Sequence, residues 1–333
     1  MINPYQNIQW ETVNRVMSCS HEHCESQNQF NVLTANSGIR HIAISNYYPS
    51  EPIYPLSEEF TDTSSFLSSP NAEHHTLSVK NIRLGRLHIN GLGSFFTSGS
   101  PRGETPLGCD YANVSEIIPK IIEDLQYSDG GGVTINHPFW SELTAQDIID
   151  ILDVDDRVLG VEIFNSFREN YTDGVLSESL VENIALWDSV LLTGRRCWGF
   201  CVADHQGQIT EEWEGRNILL VPEADEHNCL KAYRNGEFYG QIGNTNLAFT
   251  NISFSDGEYT VEAANCNKIN IVIDGTYSEY SGTSVSVEVP QNATYVRAEA
   301  HSSDDSVFSN PIILKPIEKK KHSIMQQIIM LFD

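Results

Sequence analysis

Hydrophobic positions along the chain fall into two styles, and the change comes near residue 245. Before it, short apolar runs of the kind that form buried strands alternate with segments whose apolar residues recur at helical spacing. Residues 39–45, 132–137, 158–164 and 199–204 read as strands. Val114, Ile117, Ile118, Ile121 and Ile122 predict a helix over 114–125, in which Pro119 is tolerable only near the first turn. Residues 145–152 predict a short amphipathic helix, and Asp129-Gly130-Gly131-Gly132 a turn that launches the next strand. Residues 49–72 are rich in Pro and Ser and show no period; loops of that length are usually functional or disordered.

After 245 the period becomes two. Residues 249–254, 258–263, 268–273, 284–289 and 294–300 alternate apolar with polar, and Asp256-Gly257 and Asp274-Gly275 are hairpin-type turns. This predicts an immunoglobulin-like antiparallel β-sandwich over residues 244–315, about 70 residues against ~100 for the class. The expected organisation is a lead-in over 1–14, an α/β unit over 15–243 on which Trp10 packs, the sandwich, and a tail helix over 316–333. The tail joins Lys319, Lys320 and Lys321 to the apolar stretch 324–331. Such a helix could dock on a second copy in a homo-oligomer, lie on a membrane surface, or pack on its own chain. Surface binding needs a large basic face, which favours the last.

Charge narrows the function. The 333 residues carry 45 acidic against 20 basic side chains, a net charge of −25. A field of that sign repels polyanions, so long nucleic acid is disfavoured as a substrate unless metals and a local arginine patch offset it. Solubility alone would also account for the acidity. Seven cysteines, an odd number without a CxxC pair, argue against a disulfide framework. No run of 18 apolar residues is present to span a membrane. Met1-Ile2-Asn3-Pro4-Tyr5 does not open a signal peptide, so a cytoplasmic location is expected.

Candidate chemistry sits at the ends of the apolar runs. His21 and His23 form a His-x-His pair after a short apolar run, and residues two apart on an extended strand point the same way. Two converging imidazoles make a metal half-site. Glu73, His88, His137 and Asp204-His205 each follow or close a strand-like run. In barrels of alternating strands and helices the loops after the strands meet at one face, so ligands far apart in sequence would converge there.

The ordered set His21-x-His23, Glu73, His88, His137-Pro138 and Ala203-Asp204-His205 resembles the PHP family, the polymerase and histidinol phosphatase metallohydrolases. Residues 186–195 resemble the family's helix before the last ligand strand, and residues 232–239 its closing helix and turn. The resemblance covers roughly residues 15–243. It implies a distorted (β/α)7 barrel, a cluster of divalent metals, and a hydrolytic, usually phosphoesterase, activity. By matching, Glu73 would bridge two ions (Mn, Zn or Fe), with His21, His23 and Asp204 on the first and His88 and His137 on the second. His21, His23, Glu73, His137 and Asp204 would be the catalytic set. Two such ions, ~3.5–4 Å apart, can clamp a phosphoryl group and ionise a water, so no protein nucleophile is required.

The chain also departs from the family. Ser45-Asn46-Tyr47 stands where Thr-Asp-His is usual, Asp204-His205-Gln206 where Asp-x-His is usual, and Gln27-Asn28-Gln29 where a further histidine is usual. All three losses fall on the ion that trinuclear members hold third, which implies a binuclear site with Tyr47 in its place. His205 remains an alternative ligand, because strand-end residues can rotate at a bulge.

Among the other residues, Arg102 and Arg168 follow strands on the active side and can meet a phosphate as planar forks. Arg195, Arg196 and His41 should face away from it. Of His74 and His75, one should face the cavity and the other solvent. Glu162 is placed to support His137, and Cys24 and Cys201 to pack. The leading expectation is a phosphoesterase of a small phosphorylated compound. A degenerate barrel that binds without turnover, and a hydrolase of a non-phosphate bond, stand beside it.

Overall fold

The computed structural model describes residues 1–35, 38–47, 50–76, 87–98, 113–166, 178–205, 215–243 and 246–317. Arg102, Arg168, Gln206 and residues 318–333 lie outside them. The strands of the first 243 residues are β1 (Asn14–Cys19), β2 (His41–Ile42), β3 (Leu67–Ser68), β4 (Glu73–Thr76), β5 (Leu87–Leu92), β6 (Gly132–Ile135), β7 (Val158–Asn165), β8 (Trp198–Val202), β9 (Gly215–Val221) and β10 (Phe238–Ile242). The helices are α1 (Gln27–Ala35), α2 (Val114–Glu123), α3 (Ala145–Leu152), α4 (Glu178–Leu191) and α5 (Glu226–Asn235).

Local chemistry explains several of these elements. Thr144 and Asp147 close a reciprocal capping box that starts α3. Asp225 caps α5, which ends at Gly236 with φ 75°. A Cβ at Gly236 would lie 2.5 Å from the Trp198 ring, so both the turn and the packing demand glycine. Pro119 sits inside α2, past the first turn where the sequence would allow it. Its missing N–H leaves the Ser115 carbonyl without its helical donor.

Two sheets enclose the first part of the chain. One runs β4-β5-β6-β7-β8, with β6, β7 and β8 parallel and β4 and β5 antiparallel. The other runs β3-β2-β1-β9-β10, with β1, β2 and β3 parallel. They meet at two seams without a strand ladder. At one, Cys201 N–H donates to Asn217 Oδ1 at 3.1 Å; at the other, Glu73 N–H donates to the Ser45 carbonyl at 3.1 Å. The described residues therefore form no closed barrel, in contrast to the (β/α)7 expectation, because β9 runs antiparallel to β1 and pairs with it, and β10 pairs with β9, neither of them with β8.

The second part supplies β11 (Ala248–Ser255), β12 (Glu258–Ala264), β13 (Lys268–Ile273), β14 (Thr276–Ser281), β15 (Ser284–Glu288), β16 (Tyr295–His301), β17 (Ser306–Ser309) and β18 (Ile312–Ile313). The two expected hairpins form, with Ser255 opposite Glu258 and Ile273 opposite Thr276. Strand β14 is exposed along its whole length and has no apolar alternation to announce it. A sheet β11-β12-β15 faces the row β14-β13-β16-β17. That row does not stop at residue 244: β17 pairs with β10, so the second sheet of the first part continues into it. Tyr5, Ile218, Leu220 and Tyr239 share one apolar core with Phe249, Tyr259, Ile271 and Val296. Trp10 belongs there too, donating to the Ile252 carbonyl at 3.3 Å. The cysteines among the described residues are buried free thiols. No helix among them is long and apolar enough to cross a membrane.

Candidate metal centre

His21 and His23 lie just past β1, in backbone tied to its neighbours by Asp204 N–H to the His21 carbonyl (3.0 Å) and Ser45 N–H to the Glu22 carbonyl (2.8 Å). Both side chains point inward, with ring centroids 5.3 Å apart. His137 and Asp204 come two residues after β6 and β8, and both hold positive φ, 30° and 51°. Backbone strain at two neighbouring polar residues is the kind that functional sites retain. Glu73 and His88 differ from the expected pattern: Glu73 opens β4, and His88 is the second residue of β5. The antiparallel pairing of Glu73 with Asn90 and of His75 with His88 brings them to the same end.

Two groups of buried ligand atoms result, His21–His23–Glu73 and Glu73–His88–His137, each with its atoms within 4.8 Å of one another. Asp204 borders the first, with Oδ1 2.9 Å from His23 Nε2 and 3.3 Å from His21 Nε2. Glu73 is common to both: Oε1 lies 2.9 Å from His88 Nδ1 and 3.5 Å from His137 Nε2, and Oε2 lies 3.3 Å from His23 Nε2. Nε2 of His21, His23 and His137 and Oε2 of Glu73 are buried and make no hydrogen bond. Buried polar atoms are almost always hydrogen-bonded. Four that aim at a common region instead fit a bound cation, and imidazole with carboxylate is the donor set of zinc, manganese or iron.

Electrostatics point the same way. Burial opposes a charge on His21, yet Asp204, Glu162 and Glu73 hold its pKa well above the usual value. His23 is likewise raised to about 9 against its burial, by Asp204 and Glu73. Burial pushes the Glu73 carboxyl up, but His88 and His21 overcome it and hold it well below the carboxylate range. The carboxylates thus draw positive charge into a desolvated space, which a divalent ion would supply.

A surrounding layer fixes the donors. Glu162 Oε1 meets His21 Nδ1 at 2.6 Å, and its Oε2 accepts the His137 backbone N–H at 2.8 Å. Glu162 therefore supports His137 through its backbone and His21 through its ring, where the sequence suggested only the former. Ser141 pairs with His137 Nδ1 at 3.1 Å. Asn136 donates to Glu73 Oε1 at 3.0 Å, and Asn165 donates to Asp204 Oδ2 at 2.9 Å. Trp140 packs on the rings of His137 and His88, 4.8 and 5.6 Å away. The sequence does not single out Asn136, Ser141, Asn165 or Trp140; the only signal is their position next to, or a few residues from, a ligand-type residue.

The remaining candidates sort clearly. The Tyr47 ring stands 4.7 Å from His23 and 4.9 Å from His75. Asn46 turns away, its carboxamide clamping both the N–H and the carbonyl of Cys24 at 2.9 Å. His205 sends Nδ1 to Glu22 Oε2 at 3.0 Å and belongs to neither ligand group. Neither His74 nor His75 faces solvent: His74 pairs with Ser98 and packs by Phe96, and His75 stacks on His88. Arg195 pairs with Asp153, and Arg196 donates to the Asp156 and Val158 carbonyls, away from the centre. A cleft of about 680 Å³, lined by Cys24, Asn46, Glu51, Tyr54 and Glu58, opens beside it.

No protein-family model matches the chain, and no curated protein matches it. It is similar to the crystal structure of a two-domain protein containing predicted PHP-like metal-dependent phosphoesterase from Bacteroides vulgatus ATCC 8482, at 10% sequence identity and a TM-score of 0.45, over 95% of this chain and 96% of that one.

Proposed function

We propose that this chain is a PHP-like, metal-dependent hydrolase, and specifically a phosphoesterase of a small phosphorylated compound with two divalent ions, Mn, Zn or Fe. One observation carries the reading: two buried ligand groups share a single carboxylate, Glu73, with their donor atoms aimed inward. A pair of ions bound there would act as Lewis acids on a phosphoryl oxygen and make a water nucleophilic at neutral pH.

The chain's own residues supply the rest. His21, His23 and Asp204 hold one position, His88 and His137 the other, and Glu73 faces both. Glu162 and Ser141 bind the Nδ1 atoms of His21 and His137, which leaves each Nε2 to the centre. Trp140 packs against the rings of His88 and His137 and helps to hold them in place. Tyr47 takes the space beside His23, and Asn46 is engaged by backbone, which supports two ions rather than three. Arg102 and Arg168 are the proposed phosphate contacts, and the cleft by residues 51–58 the proposed seat of specificity.

Elemental analysis of gently purified protein tests the count, with about two ions per chain expected. Hydrolysis of a generic aryl phosphate, with and without added manganese, tests the reaction. Three tightly held ions, or none, would sink the binuclear reading. Two ions with no turnover of any phosphate ester would leave a protein that binds metal without this activity.

A further inference from the structure

Rings border one side of the metal centre in a continuous row. Trp140 lies 5.6 Å from His88, His88 stacks on His75 at 4.0 Å, His75 lies 4.9 Å from Tyr47, and Tyr47 lies 4.7 Å from His23. The row marks the side from which the centre is reached. His23, His75 and His88 keep 5%, 7% and 7% of their surface open, while His21, Glu73, His137 and Asp204 keep 1% or less. Trp140 and Tyr47, at or near the two ends, are half-buried.

Both of these residues sit on backbone that is held in place. Trp140 belongs to the turn after β6, where Ser141 N–H donates to the His137 carbonyl and Leu143 N–H to the Pro138 carbonyl, each at 3.0 Å. In the same turn, Phe139 N–H donates to Oδ1 of the buried Asn183 on α4 at 2.9 Å. The Phe139 side chain is 40% exposed, a further ring that this fixed turn leaves at the surface. Tyr47 follows Asn46, which is clamped on Cys24 and lines the cleft of about 680 Å³. A row of rings that is already in place loses little freedom when it binds.

We propose that this row receives a planar ring on the substrate, which makes the substrate a phosphate ester whose alcohol part carries an aromatic or heteroaromatic ring. The inference rests on the phosphoesterase reading above and adds what lies beyond the phosphoryl group. With that group at the ligand residues, the rest of the substrate leaves on the open side, along Trp140, His88, His75 and Tyr47. Aromatic pairs in offset-stacked or edge-to-face contact gain beyond the area they bury. A polyol or sugar phosphate would instead set hydroxyls against ring carbon and lose their hydrogen bonds to water. Groups attached beyond the ring would continue past Tyr47 toward the cleft.

Calorimetric titration of the full chain loaded with manganese tests this without turnover. The probes are phenylphosphonate and methylphosphonate, which share a head group and differ in the ring. The proteins are the unaltered chain, Trp140→Leu, Trp140→Phe and Tyr47→Leu, each with its metal content measured. The ratio of the two affinities within one protein cancels any change in metal loading. Phenylphosphonate should bind the unaltered chain about tenfold more tightly than methylphosphonate. That advantage should fall to about threefold or less in Trp140→Leu and in Tyr47→Leu, and persist in Trp140→Phe, which keeps a ring. Equal affinities in the unaltered chain would overturn the inference and leave the phosphoesterase reading standing, and so would an advantage that survives both leucine variants. Failure of the metal-loaded chain to bind either phosphonate would overturn both.

Discussion

Glu162 holds Oε1 2.6 Å from Nδ1 of His21, a residue 141 positions earlier in the chain. The carboxylate sits in the middle of β7, whose eight residues are all buried, and Asn165 donates to its other oxygen at 3.0 Å. A carboxylate on the far nitrogen of an imidazole fixes the tautomer and the ring plane, and it raises the basicity of the nitrogen left for the metal. Glu162→Gln is therefore expected to weaken metal binding about 10–100-fold, the range typical of such outer partners. Competition with a chelator of known affinity would measure it. An unaltered affinity would mean that packing alone orients His21.

Glu73 should be the most sensitive ligand. It faces His21 and His23 on one side and His88 and His137 on the other, so a neutral amide removes charge from both positions at once. Glu73→Gln is expected to lower metal affinity and aryl-phosphate turnover by more than about 100-fold, beyond the loss of an outer partner. His74→Ala should be mild, because that ring faces Ser98 and Phe96. His75→Ala should fall between them, since its ring supports His88 from 4.0 Å without belonging to either ligand group. Metal content and turnover measured side by side in the three variants decide the order. Loss of both metals in His74→Ala with retention in Glu73→Gln would move the shared position to another residue.

The inward-pointing histidines stood out as candidates because a His-x-His and a His-Pro at the ends of apolar runs break the hydrophobic pattern in a way that burial alone does not explain. Glu162 was legible for the same reason, as one carboxylate inside Val161-Glu162-Ile163-Phe164. The layer around them was not. Asn136, Asn165 and Ser141 are ordinary residues at strand ends, and only the fold shows what they touch. Sheet connectivity was hidden for a different reason. Period-two alternation marks β11 to β13 and β16 as strands with one buried face, but it does not say which edge each strand pairs with. Nothing in Ser306–Ser309 signals that β17 joins β10, so composition suggests a boundary at 244 while the sheet runs on from β10 into β17.

His41 gives a pH dependence remote from the metal ligands. It is wholly buried, pairs with Ser18 Oγ at 2.7 Å and Ser69 Oγ at 2.8 Å, and faces Tyr233; burial lowers its pKa to about 3. The unfolded chain takes up a proton at this residue near the ordinary pKa of about 6.5, while the folded chain does not until about pH 3. Between those values the unfolded state binds more protons, so this contribution to stability is present above about 6.5 and is lost as pH falls toward 3. The slope contributed is at most about 1.4 kcal/mol per pH unit. Urea titrations of the unaltered chain and of His41→Asn across pH 4 to about 7 would check it. The variant should be less stable at neutral pH and show a shallower decline; parallel curves would remove His41 as the source.

The last prediction concerns the join between the two parts of the chain. Arg297 on β16 is buried and donates twice to Asp188 on α4, at 2.8 Å each, and once to Glu299 at 2.6 Å. Tyr295 Oη donates to the same Asp188 at 2.8 Å. Burial disfavours charge on Glu299, yet Arg297 holds its pKa at about 2, so the pair is ionised where water is scarce. Removing one member of such a network strands the others. Arg297→Met is expected to cost about 3–5 kcal/mol of stability, the usual penalty for an uncompensated buried charge. Arg297→Met combined with Asp188→Leu and Glu299→Gln should recover much of that loss, because no buried charge is then left without a partner. By the same logic, a chain ending at Gly243 would expose the edge of β10 and the apolar side chains of Ile218, Leu220 and Tyr239, and should not fold as a metal-binding unit. Thermal unfolding of the Arg297 variants, with metal content of the shortened chain, tests both halves. A shortened chain that unfolds cooperatively and keeps its metal would show that the shared sheet and the Arg297–Asp188 pair are dispensable to the centre.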